Sequence, residues 1–567
     1  MKSKLFDRRK VLKTLAGLGV GTAVFHRALV SQAEAAGTVT AAMIQQAEWI
    51  AGIELSDEQR EATAVAVNRA ARSIEEMRAI DVDYSVPPAV MFSAAPSKLP
   101  SNVQLKRAVD TVEDAAGKKP GSTEDLAFLP ITELSALIRS RQTTSIELTK
   151  LYLERLRQYD KALRCVVTLT EDTALEQALR ADREIAAGHY RGPLHGIPWG
   201  AKDLIAYPGY PTGWGATPFQ DQTLNEKATV ARRLEEAGAV LIAKLSLGAL
   251  AMGDEWYGGM TRNPWNPKEG SSGSSAGSAS ATAAGLVGFA LGSETLGSIV
   301  SPCRRCGTTG LRPTFGRVSR HGCMSLAWTM DKIGPITRSV EDCAIVLAAI
   351  HGYDGFDATA VDQPFQWPSR RDIRTMKVGY FDGPRPLEKR PEIQVLIELG
   401  VKLVPITLPK KYPVWPMTII LNTEAAAVFD PLTRAGVTEG IGRWPNAFRQ
   451  GEFVPAVEYL RANRIRTLLM REMKVLMEQV DAYVGGDDLA LTNLTGHPTV
   501  VLPNGMQKRD DADVPKSITF TGRLFGESEL LALARAYQQA TGYQLSRPNM
   551  DKLLQESGEN PDETKSL

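Results

Sequence analysis

Two residue types that often carry catalysis or bind metals are scarce in this chain of 567 residues, which holds six histidines and five cysteines. The cysteine number is odd, and the density is too low for a framework of disulfide bonds. Cys303 and Cys306 form one C-x-x-C pair, a spacing typical of half a zinc or redox site, but no second cysteine pair or histidine cluster accompanies it. We therefore predict that the protein binds no metal.

An excess of charge of one sign is also absent, because the formal net charge is +1. The first 35 residues carry seven Lys or Arg against two Asp or Glu, a net +5, which leaves −4 for the rest of the chain. Proteins that bind nucleic acid or a membrane surface through electrostatics carry basic patches, and no basic run follows the N-terminus. We predict no nucleic-acid partner.

The sequence lacks an apolar run long enough to cross a bilayer, since the N-terminal run Thr14–Phe25 spans twelve residues and a membrane helix needs about 20. Arg8 and Arg9 precede this run, and the small-residue pattern Ala33-Glu34-Ala35 follows it. Basic, apolar and A-x-A segments in this order are typical of an export signal, and the paired arginines resemble a twin-arginine signal. We predict a signal peptide at 1–36, export to the periplasm or beyond, and no stable membrane insertion after its removal; the alternative is a basic N-terminal helix.

Segment composition predicts three further regions. Residues 37–120 form a helical extension and linker, in which Ser56 followed by Gln59 gives a capping-box pattern. In 121–552 short apolar, β-branched runs alternate with helical patterns, which predicts an α/β fold around a largely buried sheet. The polar residues 553–567 are predicted to be a disordered tail.

The most unusual stretch is 270–285, "GSSGSSAGSASATAAG", whose composition is typical of a flexible linker. It continues without a break into an apolar run that includes Leu286, Val287 and Phe289. A linker is normally flanked by polar residues, whereas this one ends in a segment that has the pattern of a buried helix or strand. The sequence therefore favours a structured role for the stretch.

One such role is the nucleophile elbow of α/β-hydrolases, because Gly273–Gly277 matches G-x-S-x-G with Ser275 at its centre. That motif follows directly on a strand, but the preceding residues "RNPWNPKEG" contain two prolines and no apolar run. His497 is the available base for this arrangement. Ser275 with His497 remains the second mechanism.

The stronger interpretation joins three distant segments: "HGIPWGAKDLI" around Lys202, "GSSGSSAGSAS" around Ser274, and "GSETLGSIVSP" around Ser298. Two further blocks, "CGTTGLRPTFGRVSRHG" and "TNLTGHPTVVLPNG", follow in order. Over roughly residues 125–550 this set strongly resembles the amidase signature family. The resemblance implies a single large domain with a central mixed β-sheet covered by helices.

By this resemblance Lys202 is the base, Ser274 is the bridging serine and Ser298 is the nucleophile of a Ser–Ser–Lys triad. The 24-residue spacing from Ser274 to Ser298 is the one that the family pattern has. Such a triad needs no histidine, metal or cofactor. It does need a lysine whose pKa is lowered, and the apolar neighbours of Lys202 suit that requirement.

The resemblance also implies the supporting backbone. The N–H groups of Thr295, Leu296 and Gly297, with that of the nucleophile, would form the oxyanion hole, and Gly273 would precede a cis peptide bond. Ser275 is expected to hydrogen-bond behind the triad. The other serines of the stretch are interpreted as turn and packing residues.

Three positions depart from the family pattern: Leu296 stands where a glycine is usual, Val300 where an arginine is frequent, and Glu294 where an aspartate is usual. If position 296 needs a positive φ, Leu296 is strained there.

The predicted function is hydrolysis of a carboxylic amide to acid and ammonia or amine, with a small-molecule amide as substrate. The alternatives are the glutaminase (A) subunit of a tRNA-dependent amidotransferase and a catalytically silent binding protein on the same fold. The sequence leaves a homodimer open.

Overall fold

A computed structural model describes residues 38–82, 86, 88–90, 117–486, 488–509 and 512–556. The predicted signal peptide, most of the predicted linker and residues 557–567 lie outside this part of the chain. Within it, no helix combines the length and the apolar character that crossing a membrane requires.

The described chain contains the following α-helices: α1 Ala41–Ala51, α2 Asp57–Arg78, α3 Thr123–Ala127, α4 Ile131–Arg139, α5 Ser145–Leu163, α6 Glu171–Ala186, α7 Thr229–Glu236, α8 Ala276–Ala283, α9 Val300–Cys306, α10 Val340–Ile350, α11 Pro391–Glu398, α12 Ile419–Val428, α13 Asp430–Arg434, α14 Trp444–Glu452, α15 Ala456–Gln479, α16 Leu489–Thr495, α17 Glu527–Thr541 and α18 Met550–Glu556. Its strands are: β1 Val166–Leu169, β2 Pro198–Lys202, β3 Val240–Leu245, β4 Glu255–Trp256, β5 Gly259–Met260, β6 Arg262–Asn263, β7 Asn266–Gly270, β8 Phe289–Glu294, β9 Thr309–Arg312, β10 Lys332–Thr337, β11 Lys377–Phe381, β12 Lys402–Ile406, β13 Ala482–Val484, β14 Thr499–Arg509 and β15 Ala512–Gly522.

Eleven of these strands form one mixed sheet in the order β1-β3-β2-β8-β10-β9-β14-β15-β13-β11-β12. Strand β2 runs parallel to both β3 and β8, whereas β8, β10, β9, β14, β15 and β13 pair antiparallel in succession. Strands β11, β12 and β13 are parallel to one another. The prediction of an α/β fold with a central mixed sheet is confirmed.

The sheet is buried where it carries the predicted catalytic segments. Every residue of β2, β3, β8 and β10 is buried. Strands that are covered on both faces read as continuous apolar runs rather than as alternating patterns, which is why the sequence shows "AVLIA" and "GFAL" as unbroken runs.

The glycine- and serine-rich stretch is a helix in the interior rather than a linker. Its residues 276–283 form α8, of which only Ala283 is partly exposed. Small side chains are required there, because a Cβ atom at Gly277 would lie 2.5 Å from both the Cys165 carbonyl oxygen and the Ser246 nitrogen.

Two helix starts follow the capping chemistry of the sequence. The capping box of Ser56 and Gln59 opens α2, as predicted. Thr144 and Glu147 form a second capping box at the start of α5. In both, the side-chain oxygen of the first residue accepts a hydrogen bond from a backbone N–H that the helix itself leaves unpaired.

The chain divides into two compact units. One contains the described part of Met1–Met91 together with Lys411–Thr438 and Arg443–Leu468, and the other contains the remaining residues. In the first unit, a core of Ile44, Ile53, Leu55 and Ala64 packs against Phe453. The predicted extension is therefore helical, but its apolar face is covered by a segment far along the chain.

At the C-terminus, helix α18 continues to Glu556, past the boundary at 552 that the sequence predicts. Leu553 and Leu554 are 1% and 7% exposed, so their burial holds this helix. The remaining residues of the predicted disordered tail lie outside the described part of the chain.

Candidate active site

Lys202 is the last residue of β2 and is completely buried between two parallel neighbours. Its Nζ atom lies 2.8 Å from Ser274 Oγ, 3.1 Å from Ser275 Oγ and 2.8 Å from Ser293 Oγ. A fourth, longer contact of 3.4 Å reaches the carbonyl oxygen of Ser293. The amine is therefore surrounded by three hydroxyl groups, and no carboxylate of the described residues contacts it.

Burial lowers the pKa of Lys202 from 10.5 to about 7, and the more distant charges of Asp331 and Glu294 act in the opposite direction. Desolvation disfavours the ammonium form, and a hydroxyl oxygen compensates far less than a carboxylate would. A substantial fraction of Lys202 is therefore the neutral amine near neutral pH.

Ser274 joins Lys202 to the glycine-rich turn that precedes α8. It is 1% exposed, and the peptide bond between Gly273 and Ser274 is cis. A Cβ atom at Gly273 would lie 1.8 Å from the carbonyl oxygen of Gly253, so only glycine fits at that position.

The backbone of Ser275 hydrogen-bonds to the Ser298 segment, and its side chain hydrogen-bonds to strand β8. Its N–H donates to the carbonyl oxygen of Ser298 over 3.1 Å. Its Oγ donates to the Ser293 carbonyl and accepts from the Ser293 N–H, each over 3.1 Å. Ser275 thus holds Ser293 and the Ser298 segment beside Lys202.

The structure does not bring His497 to Ser275. The His497 ring bonds Thr495 Oγ1 over 2.9 Å, and burial lowers the pKa of this histidine to about 4. The basic group in contact with Ser275 is Lys202. The nucleophile-elbow alternative lacks its base.

Ser298 lies in the turn between β8 and α9 and is partly exposed, in contrast to Lys202 and Ser274. In this turn the left-handed backbone falls on Gly297, with φ 95°, and not on Leu296. The backbone strain that a positive φ would cause at Leu296 is therefore absent. The Leu296 side chain is partly exposed.

Glu294 fixes the turn that carries Ser298. Its Oε2 accepts hydrogen bonds from the N–H groups of Ile299 and Val300, at 2.8 and 2.9 Å. Its Oε1 accepts from Arg312 and Asn493, both over 2.8 Å. Although burial opposes ionisation, Arg312 and the other donors hold the pKa of Glu294 at about 2.

Asp331 anchors Thr295, which lies in the same turn. Its hydroxyl donates to Asp331 Oδ1 over 2.6 Å, and Asp331 Oδ2 accepts from the N–H groups of Leu326 and Ala327. The predicted oxyanion residues Thr295, Leu296 and Gly297 thus lie in a turn that two buried carboxylates anchor.

The sequence did not predict Ser293 as a site residue, and it showed Glu294 only as a departure from the family pattern. Ser293 lies on the same face of β8 as Phe289 and Leu291, so a polar side chain in line with two apolar ones was the available signal. The partners of Glu294 come from β9 and α16, which no local pattern connects to β8.

No metal centre is visible in the part of the chain that the structure describes, where no group of three or more His, Cys, Asp or Glu side chains could hold an ion. Cys303 and Cys306 are free and buried in α9. Burial raises the pKa of the Cys303 thiol to about 12, so this free thiol is protonated near neutral pH.

Comparisons with known proteins show the family to which the chain belongs. The family model of amidases matches residues 147–485. The A subunit of the glutamyl-tRNA(Gln) amidotransferase of Moorella thermoacetica is 33% identical over 488 residues, which cover 75% of this chain and 99% of the relative.

Solved structures give the same result. The native peptide amidase of Stenotrophomonas maltophilia superposes with a TM-score of 0.65 at 29% identity and covers 74% of this chain and 98% of its own. A bacterial aryl acylamidase of the amidase signature family shares the fold, with a TM-score of 0.64 at 22% identity and coverage of 74% and 97%. The chain belongs to the amidase signature family, whose hydrolases act on amide C–N bonds.

Proposed function

We propose that this protein is an amidase that hydrolyses a small or medium carboxylic amide, with Ser298 as the nucleophile, Ser274 as the bridging serine and Lys202 as the base. The observation that carries the proposal is the buried Lys202 amine, 2.8 Å from Ser274 Oγ, with its pKa lowered to about 7. A serine hydroxyl is a weak nucleophile until a positioned base takes its proton.

The three hydroxyl contacts of Lys202 suit this role. A neutral amine has two N–H groups and one lone pair. If the N–H groups donate to the oxygens of Ser275 and Ser293, the lone pair is left for the proton of Ser274. The bridging serine can then accept the proton of Ser298 as it gives up its own.

The reaction would run through an acyl-enzyme. Ser298 Oγ bonds to the carbonyl carbon while its proton moves to Ser274 and that of Ser274 moves to Lys202. The carbonyl electron pair moves to the oxygen, which accepts hydrogen bonds from the N–H groups of the turn at 295–298. When the carbonyl re-forms, the C–N bond breaks, the nitrogen takes a proton from Ser274, and Lys202 returns its proton to Ser274. Water then cleaves the ester by the same proton route.

A fluorophosphonate probe and three variants test these roles. We expect the probe to label Ser298, and Ser298→Ala, Ser274→Ala and Lys202→Ala to lose turnover by about 10³-fold or more while remaining folded. The matched control is Ser278→Ala, because Ser278 is a buried serine of α8 whose hydroxyl, within the described residues, bonds only the Leu291 carbonyl. Undiminished hydrolysis by Ser298→Ala would reject the assignment, and absence of labelling would favour a silent binding protein.

A second candidate function is that of the glutaminase subunit of a tRNA-dependent amidotransferase, because relatives of that name cover 75% of the chain. Such a glutaminase works together with partner subunits. Expression in the native host followed by purification distinguishes the two, since co-purification of partner subunits supports the second candidate and amide hydrolysis by the isolated chain supports the first.

We also propose that residues 1–36 direct export. The basis is the order of paired arginines, a short apolar run and an A-x-A site. N-terminal sequencing of the protein from a periplasmic fraction should begin near residue 37. Recovery of the intact N-terminus from the cytoplasm would contradict the proposal.

A screen of amides whose acyl groups are graded in length and in charge identifies the acyl group that the enzyme prefers. Light scattering on the same purified protein tests for a homodimer.

A further inference from the structure

A cavity lies at the carboxyl ends of three parallel strands, away from the serines. It has a volume of about 730 Å³, which is within the usual range for small-molecule sites. Its lining includes Phe381 at the end of β11, Ile406 at the end of β12 and Val484 at the end of β13.

Strand directions separate this cavity from the triad. Five antiparallel pairings lead from β8 through β10, β9, β14 and β15 to β13, so β13 runs opposite to β8 and to its parallel neighbour β2. The carboxyl ends of β11, β12 and β13 therefore lie at the other edge of the sheet from the end of β2 that carries Lys202. The cavity is not an extension of the catalytic centre.

The connections of these strands make a crevice at this edge. The chain passes from β11 through α11 to β12 on one side of β11, and it later returns to β13 on the other side. In open α/β sheets, ligands bind outside the carboxyl ends of parallel strands where the connections diverge in this way.

Some charged side chains that line the cavity have a partner of opposite charge, and others do not. Arg390 donates to Glu392 Oε1 over 2.9 Å and to the Phe381 carbonyl over 2.8 Å, so this pair is neutral and supports the end of β11. Arg385 and Lys410 are exposed, and neither has a hydrogen-bond or ion-pair partner within the described residues. Among the lining residues that the structure describes, Asp382 is the one acid that is likewise unpaired, so the unpaired groups described here carry a net positive charge.

The other lining residues leave room for the apolar part of a ligand. The Phe381 ring packs edge-on against Tyr483, with 5.7 Å between ring centroids, and forms part of the lining. At Gly383 and Gly485 an added Cβ atom would meet nothing within 4 Å, so open space lies above the backbone at both positions.

We propose that this cavity binds a small organic anion, whose carboxylate or phosphate group is held by Arg385 and Lys410 and whose apolar part lies against Phe381. Charge-assisted hydrogen bonds to such groups are stronger than neutral ones, and an arginine with a lysine can contact several oxygens of one anion at once. The site is independent of the proposed hydrolysis, which uses residues at the other edge of the sheet.

Calorimetric titration of the full-length protein, labelled beforehand at its reactive serine, tests this site with three probes that share one ring: benzoate, phenyl phosphate and benzyl alcohol. We expect benzoate or phenyl phosphate to bind at millimolar concentration or below, the tighter of the two identifying the anionic group, and benzyl alcohol to bind at least about tenfold more weakly.

Arg385→Gln and Lys410→Gln should each weaken anion binding by about tenfold or more and leave amide turnover unchanged. Lys150→Gln, which removes an exposed charge from α5 outside the cavity, should bind as the wild type does. Absence of binding by both anions, equal binding of benzyl alcohol, or equal affinities in all three variants would overturn the proposal. Loss of serine labelling alone would overturn the proposed function and not this site.

Discussion

At the scale of single residues, the chemistry depends on the environment of one amine. Lys202 has its pKa lowered to about 7 because it is buried with hydroxyl groups, and not carboxylates, as its described contacts. In the proposed mechanism the lysine acts as a base only when neutral, so activity should be lost as the pH falls through that pKa.

We therefore expect kcat/KM to fall about tenfold for each pH unit below about 7 and to reach a plateau above it. A pH–rate profile on a neutral amide, which does not itself titrate, provides the measurement. A profile that stays flat down to pH 5 would show that Lys202 is not the group that limits the rate.

The hydroxyl of Ser293 offers a second prediction at this scale, because its Oγ lies 2.8 Å from Lys202 Nζ. This oxygen accepts a hydrogen bond from the ammonium form and stabilises it, so Ser293→Ala should lower the pKa of Lys202 further. The acid limb of the pH–rate profile should shift to lower pH by up to about one pH unit.

Ser278→Ala is the matched control for Ser293→Ala, since that serine is buried nearby and its hydroxyl bonds the Leu291 carbonyl instead of the amine. An acid limb that is identical in Ser293→Ala and in the wild type would mean that the Ser293 contact does not influence the charge of Lys202.

At the scale of elements, the site depends on how closely helix α8 approaches its neighbours. Gly277→Ala should lower the free energy of unfolding by about 2 kcal/mol or more, because the new Cβ would lie 2.5 Å from two backbone atoms that cannot move away alone. Chemical denaturation gives the value.

Gly121→Ala is the control for this element, because a Cβ atom there meets nothing within 4 Å and φ is not positive. We expect its unfolding free energy to stay within about 0.5 kcal/mol of the wild type. Equal effects of the two substitutions would contradict the close approach of α8.

At the scale of the whole molecule, the N-terminal helices depend on a distant segment. Phe453 packs on the core formed by Ile44, Ile53, Leu55 and Ala64. Phe453→Ala should therefore destabilise the protein by about 2 kcal/mol and make residues 38–80 more susceptible to proteolysis.

Phe356→Ala serves as the control at this scale, since that ring is 66% exposed. Mass spectrometry of the early proteolytic fragments locates the cuts. Unchanged cleavage in α1 and α2 of Phe453→Ala would contradict the packing of the two segments.

The residues of the proposed triad are easier to identify from the sequence than the residues that support them. Lys202, Ser274 and Ser298 lie in long ordered motifs, and the glycines and small residues around them are local requirements that one stretch can display. Glu294 illustrates the opposite case, because its importance comes from Arg312 and Asn493, which are 18 and 199 positions away.

By itself the sequence determined the α/β class, the capping box of Ser56 and Gln59 and the family resemblance, because each of these depends on local propensity or on a contiguous motif. Only the tertiary structure decided that Ser293 contacts the amine, that Leu296 does not take a left-handed backbone, that Phe453 packs on the N-terminal helices, and that a cationic cavity lies at the other sheet edge. These features arise from long-range pairing and burial, which fix distances between residues that the chain order keeps far apart.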